Sequence, residues 1–191
     1  MGRIVVTEFV SLDGVVEDPG PAGAFKHRGW SFEFDRGPEG DAFKLDEARA
    51  STALLLGRVT YETFAEAWPS RDGELADKLN SMPKHVVSST LTEPGWSNSA
   101  VVNPDDLVEV VSKLRQQADG DVVVHGSVKL AQALLEHDLV DELRLMVYPV
   151  ILGTGKRLFD DHGEKKKLRL VGSKVVGDGV VILTYAPSPP A

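Results

Sequence analysis

Two segments hold the residue types from which a phosphate site can be built. They are Leu54-Leu55-Leu56-Gly57-Arg58-Val59-Thr60-Tyr61-Glu62 and Val122-Val123-Val124-His125-Gly126-Ser127-Val128-Lys129-Leu130. In each, a run of branched apolar residues, the pattern of a strand covered on both faces, passes through glycine into a helical pattern. Glycine with a hydroxyl residue close behind lets ligand oxygens reach the unpaired amides that open the helix. Two such junctions can grip one diphosphate from both sides. Gly57, Arg58, Val59 and Thr60 bring together an amide-rich helix start, a guanidinium and a hydroxyl. The plain alternative is a strand-to-helix turn with Arg58 on the surface. Gly126 and Ser127 form the second pair, with Lys129 adding charge. Ser88-Ser89-Thr90 ends an intervening strand, where it can meet a ribose or a 2'-phosphate or simply make a serine-rich turn.

Other chemistries find less support. The spaced glycines GxGxxG do not follow the first strand, and Gly-Lys-Ser/Thr does not occur. His27, His85, His125, His137 and His162 are scattered, with no pair at i, i+4 and no HExxH, so no metal site is expected. A serine nucleophile lacks its GxSxG elbow. Asp13 and Asp41 remain as candidate catalytic proton sources. Asp41 also suits a helix N-cap, and Asp13, before Gly14, also suits a turn. Trp30 and Phe32, with Phe25 and Phe34, load an otherwise Gly- and Pro-rich connection with aromatic rings. They can form a lid on the substrate side that orders a flat ring and sheds water, or they can plug the core or a subunit contact.

The elements that must position these residues follow from periodicity. Arg3 to Val10 reads as a strand ending in the turn Ser11-Leu12-Asp13-Gly14, and Glu17 to Gly40 as a long loop. Asp41 to Ala50 reads as a helix, Thr52 to Leu56 as a buried strand, and Thr60 to Glu66 and Glu74 to Asn80 as helices. Lys84 to Val87 returns to strand. Asn103 caps a helix opened by Pro104, with Leu107, Val110, Val111 and Leu114 on one face through Arg115. Strand Asp121 to His125, helix Ser127 to Glu136 and strand Asp141 to Tyr148 continue the alternation. Leu168 to Val176 and Gly179 to Tyr185 flank a hairpin turn at Gly177-Asp178. The pattern predicts an α/β fold with a mostly parallel sheet and an antiparallel C-terminal edge.

The 191 residues suit one domain over 1–186, with the proline-rich 187–191 expected to be a disordered tail. Apolar residues make up 42% and charged residues 26%, and no apolar run approaches the ~20 residues that span a bilayer, so no membrane partner is expected. A net charge of -8, with Lys165-Lys166-Lys167 as the densest basic run, argues against a nucleic-acid partner. The chain has no cysteine and no signal-peptide pattern, which fits a cytoplasmic location.

The order and spacing of these segments carry a resemblance that covers nearly the whole chain. Ser11-Leu12-Asp13-Gly14, Leu56 to Glu62, Val87-Ser88-Ser89, Val124 to Ser127, and Leu139-Val140-Asp141-Glu142-Leu143 through Pro149 to Gly155 together resemble the dihydrofolate reductase superfamily. Within it they are most similar to the C-terminal reductase domain of bifunctional riboflavin-biosynthesis proteins. The resemblance implies a three-layer α/β fold that binds NADPH and passes hydride to a heterocyclic small molecule. A pyrimidine or pteridine compound is expected, as for 5-amino-6-(5-phosphoribosylamino)uracil reductase; a non-catalytic nucleotide sensor or scaffold of the same fold is the alternative. It makes Gly57 to Thr60 the phosphate turn, Arg58, Ser88 and Ser89 the 2'-phosphate site, and Gly126-Ser127 the diphosphate-facing pair. It also sets the backbone near Phe9 and Val16 beside the nicotinamide carboxamide, and Asp41 near the substrate-binding acid. Val128 departs from the family's glycine run and narrows the space over the phosphates. With no cysteine to serve as zinc ligand, no deaminase half is expected, so only the reduction would be performed. A homodimer is expected, resting on the resemblance and on the apolar stretch Leu143 to Leu152.

Overall fold

The computed structural model describes residues 1–159 and 163–188, so His162 and the last three residues of the expected tail lie outside the described residues. The chain builds strands β1 (Arg3–Ser11), β2 (Ser51–Gly57), β3 (Lys84–Val87), β4 (Ser99–Val102), β5 (Asp121–Val124), β6 (Glu142–Tyr148), β7 (Leu168–Val176) and β8 (Val180–Pro187). Its helices are α1 (Gly37–Ala50), α2 (Arg58–Ala67), α3 (Glu74–Ser81), α4 (Leu107–Gln117) and α5 (Val128–Glu136). All eight strands join one sheet in the order β4-β3-β2-β5-β1-β6-β8-β7. Strands β1 to β6 pair in parallel, and β8 runs antiparallel to both β6 and β7. This is the mixed α/β sheet with an antiparallel edge that the sequence predicts.

Strands buried on both faces explain the uninterrupted apolar runs. Ile4, Val6, Leu55, Val122 and Val124 face one side, where Leu107, Val111 and Leu114 of α4 and Leu130, Ala131 and Leu134 of α5 cover them. Val5, Leu54, Leu56 and Val123 face the other, against Tyr61 of α2, Leu79 of α3 and Trp96. A third cluster of Trp30, Met146, Tyr148, Val176, Val180 and Ile182 closes the antiparallel end.

Several expected boundaries move. Helix α1 begins at Gly37, so Asp41 lies within it rather than capping it. Trp30–Glu33 winds into a short 3-10 turn inside the long connection. Strand β4 has no counterpart in the sequence reading. Strand β8 continues through Pro187, and the Ser188 amide donates to Lys167 O at 3.1 Å, so the expected tail does not begin at 187. Asn103 caps a short 3-10 turn, Pro104–Asp106, its side chain accepting from the Asp105 amide, and α4 begins only at Leu107, so the expected single helix from Pro104 is divided. The hairpin tip is docked rather than free. Asp35 N donates to the Asp178 carboxylate and Asp178 N to Asp35 O, so the β7–β8 turn holds the end of the long connection in place. No helix among the described residues is long and apolar enough to cross a membrane.

Candidate functional site

Parallel pairing of β2 with β5 brings the two strand-to-helix junctions side by side. The Gly57 amide donates to Gly126 O at 3.1 Å, tying one exit to the other. A Cβ added to Gly57 would fall against Ser127, 2.9 Å from its backbone nitrogen, so only glycine permits this approach. Gly126 has a φ of 99°, and a Cβ there would point at Thr60 Oγ1, 3.0 Å away. The caps of α2 and α5, Gly57 and Ser127, make no side-chain capping bond, and neither helix has an acidic residue in its first turn. Two positive helix ends therefore abut with no acidic residue in the first turn of either. Such an arrangement is suited to a diphosphate.

The expected site residues gather here with differing freedom. Gly57, Thr60, Gly126 and Ser127 form the junction itself. Val59 is exposed on the first turn of α2. Arg58 is also exposed and holds Glu62 through Nη1 at 2.8 and 2.9 Å, a bond it must exchange to take a phosphate. Gly57 pairs with Val87, which puts Ser88 and Ser89 at the strand end beside Arg58. Ser88 is buried, and its Oγ accepts from the amides of Thr90 and Leu91, while Ser89 is exposed. The chemistry of these residues suits phosphate groups, with helix-start amides at the junction and the Arg58 guanidinium and Ser89 hydroxyl beside it.

On the face beneath α1, a second group converges. Lys44 of α1 is buried; it donates to Thr7 Oγ1 at 3.1 Å, pairs with Glu47, and stands 5.6 Å from the Phe9 ring centre. Arg36 faces the same ring from 5.6 Å and binds Asp41 at 2.6 Å. Tyr148 packs edge-on to Phe9 and Trp30, and burial raises its hydroxyl against the pull of Arg36. His125 lies against Phe64, its pKa pushed down to about 3 by burial and by Lys44, so it is a neutral ring. Burial works to raise Glu47, but Lys44 beside it and Arg144 behind outweigh that and hold it at about 2. Arg144 continues the network to Asp121 and Glu142. The result is an aromatic floor with fixed cations around it.

Two expectations are corrected. Asp13 is not a proton donor: hydrogen bonds from Ser11 Oγ and the amides of Leu152 and Gly153 hold its carboxyl near 2, locking the loop after β1 to the loop after β6. Trp30 is not a lid. It is 1% exposed, its Nε1 donates to Glu17 O at 2.9 Å, and it forms part of the core under the site; Phe32, at 70%, is the exposed ring. Asp41 keeps an exposed carboxylate in reach of Arg36 and Tyr148. The apolar stretch from Leu143 is also largely interior, and the exposed apolar side chains concentrate on β7, at Leu168, Leu170, Val171 and Val175.

Sequence reasoning missed Glu8, Lys44, Glu47 and Arg144. The available signal was a charge inside an apolar strand, as in Val5 to Val10 and Leu143 to Val147, since an ionisable residue in a covered strand must be paired or used. Among the described residues, no cluster of His, Asp and Glu is arranged to hold a metal. Two surface clefts, one walled by Leu135, Leu143 and Tyr185 and one by Trp96 and Asn80, lie apart from these junctions.

Comparison with known proteins places this geometry. The family model of the RibD C-terminal domain matches residues 3–182. The uncharacterized protein YyaP of Bacillus subtilis (strain 168) is 29% identical over 188 residues, covering 96% of this chain and 94% of that protein. Among solved structures, a Shewanella sp. PV-4 protein assigned by name to riboflavin biosynthesis superposes with a TM-score of 0.79 at 24% identity, over 98% of this chain and 99% of that one. Dihydrofolate reductase from Enterococcus faecalis, complexed with NADP(H), superposes with a TM-score of 0.64 at 15% identity, over 98% of each chain. These structures share the dihydrofolate-reductase-like fold.

Proposed function

The chain belongs to the RibD C-terminal domain family, a family of reductase domains, and from that premise we propose that it is an NADPH-dependent reductase of a pyrimidine- or pteridine-type compound. The reading places it nearest to 5-amino-6-(5-phosphoribosylamino)uracil reductase. The observation that carries it is the pair of uncapped helix starts joined by Gly57 and Gly126. NADPH, when bound, supplies the hydride from its nicotinamide. The chain's part is to seat the diphosphate on α2 and α5, to meet the 2'-phosphate with Arg58 and Ser89, and to hold a flat substrate over Phe9 beneath α1. Lys44 and Arg36 supply positive charge around that ring, which suits an electron-rich or anionic heterocycle. His125 stays neutral at working pH and contributes shape rather than charge. With Asp13 locked as an anion, Asp41 beside Arg36 is the carboxyl left to relay a proton. A cytoplasmic homodimer is part of the same reading.

The test is a fluorescence titration with NADPH and NADH, followed by NADPH-oxidation assays against a panel of aminopyrimidines and pterins. Tighter binding of NADPH and turnover of a panel member support the reductase. Binding without turnover across the panel favours a nucleotide sensor, and no binding of either dinucleotide defeats the proposal.

A further inference from the structure

One buried ionisable group has no part in the reading above. Glu8 sits in β1 with 8% of its surface exposed, and its Oε1 has no hydrogen-bond partner. Strand alternation turns it to the face covered by α4 and α5, where its register partner on β6 is Leu145. An unpaired carboxyl in such surroundings is costly, and a fold keeps one only where something satisfies it. Its position indicates what that is. A Cβ at Gly126 would lie 3.4 Å from Glu8 Oε1 and 3.0 Å from Thr60 Oγ1, so the carboxyl and the hydroxyl flank the same point at the meeting of the two helix starts.

A carboxylate at that point repels a diphosphate, whereas a carboxylic acid has a proton to donate to it. Burial pushes Glu8 up to about 8, against the opposing pull of Lys44 on α1. The other charged groups on the flanking helices, Arg58, Glu62 and Glu66 on α2, Lys129 and Glu136 on α5, and Glu109 and Lys113 on α4, are exposed at the surface, and Arg115 of α4 is paired with Asp141. His125, between the end of β5 and Gly126, is half-buried and uncharged. The group facing the junction at neutral pH is therefore the acid.

We propose that Glu8, given the dinucleotide reading on which this rests, is a cofactor-binding residue that donates a hydrogen bond, as its neutral acid, to a phosphoryl or ribose oxygen seated over Gly126. Ionised, it opposes the same ligand. Cofactor affinity is then linked to one proton on this side chain, with no step of the chemistry involved.

Fluorescence titrations with NADPH would be run on the parent protein, Glu8→Gln and Glu8→Leu between about pH 6.5 and 9.5, with NADH alongside because it lacks the 2'-phosphate. The parent affinity is expected to stay level to about pH 8 and then to weaken, approaching tenfold per pH unit, for both dinucleotides. Glu8→Gln keeps a donor without a titrating proton, so its affinity should stay level throughout. Glu8→Leu should bind more weakly than Glu8→Gln at neutral pH, with folding checked by circular dichroism; if it does not fold, the parent and Gln profiles decide. Parallel pH profiles for those two proteins overturn the proposal, as does equal binding by folded Gln and Leu variants. Failure of every folded protein to bind either dinucleotide defeats the dinucleotide reading and the proposal together, a result distinct from binding without a pH difference.

Discussion

Replacing Gly57 by alanine separates the backbone requirement at this position from the spatial one. Gly57 has φ -77° and ψ 156°, a conformation any residue adopts, so alanine introduces no torsional strain. The whole cost comes from contact. The new methyl would stand 2.9 Å from both the nitrogen and Cβ of Ser127, with Oγ nearer still. Rotation of the serine side chain relieves the hydroxyl, but the nitrogen and Cβ cannot move without displacing the start of α5. Forcing a methyl into so close a contact costs about 1–3 kcal/mol, and at about 2–4 °C per kcal/mol for a domain of this size the melting temperature should fall by several degrees. The same displacement spreads the two helix starts, so NADPH affinity should fall by at least about tenfold, the equivalent of ~1.4 kcal/mol. Adding Ser127→Gly removes the side-chain part of the clash and should recover part of both losses. Calorimetry and fluorescence titration of the two variants decide the matter. A Gly57→Ala protein with parental melting temperature and parental NADPH affinity would refute the idea that this contact sets the seat.

Removing Arg58 should erase most of the NADPH over NADH preference, and Glu62→Gln, which releases Arg58 from its surface partner, should raise it; an unchanged affinity ratio in Arg58→Ala counts against the 2'-phosphate assignment. Trp30→Ala should cost about 3–5 kcal/mol of stability in denaturant melts, whereas Phe32→Ala should stay within about 0.5 kcal/mol, and equal effects would contradict the placement of Trp30 in the core. Glu47 is held near 2 against 4.5 in the unfolded chain, so its contribution is present above about pH 4.5 and is lost as pH falls toward 2. Glu47→Gln should flatten that part of the stability profile, and an unaltered slope there would show the network with Lys44 and Arg144 to be absent. The exposed apolar side chains of β7 are expected to carry self-association, so sedimentation should show a dimer in the parent and a monomer in Val175→Lys with Leu170→Lys; a monomeric parent at micromolar concentration ends that expectation.

What the sequence revealed and what it concealed divide along a physical line. The junctions at Gly57 and Gly126 were legible because a covered parallel strand must be apolar along its length, so the glycine that ends the run stands out. The C-terminal hairpin was legible because Gly177-Asp178-Gly179 supplies the positive φ values its turn uses. Strand β4 was not, since it is four residues long and half solvent-facing at the sheet edge, with no alternation to detect. Pro187 reads as a breaker, yet β6 accompanies β8 only as far as Tyr185, and Pro187 lies where β7 is the remaining neighbour. Asp13 and Trp30 were ambiguous for a deeper reason: a carboxylate before glycine or an aromatic ring in a loop looks the same whatever it touches. Asp13 meets partners 139 and 140 residues away, and Trp30 meets Tyr148. Lys44 and Glu47 look like an ordinary solvated helix pair until the sheet beneath them comes into view.

The sheet order has a consequence for how the chain reaches this state. Strand β1 precedes every other strand in the chain yet lies between β5 and β6, while β2, β3 and β4 follow one another both in sequence and in space. During synthesis the strand carrying Thr7, Glu8 and Phe9 waits, apolar and without a neighbour, until more than a hundred further residues have left the ribosome. Pairing across such a separation is slow to form and leaves sticky edges open meanwhile. Nascent chains stalled before residue 121 should therefore rely on chaperones, and the junction of the two helix starts, with one wall from each half of the polypeptide, forms only after the late strands arrive.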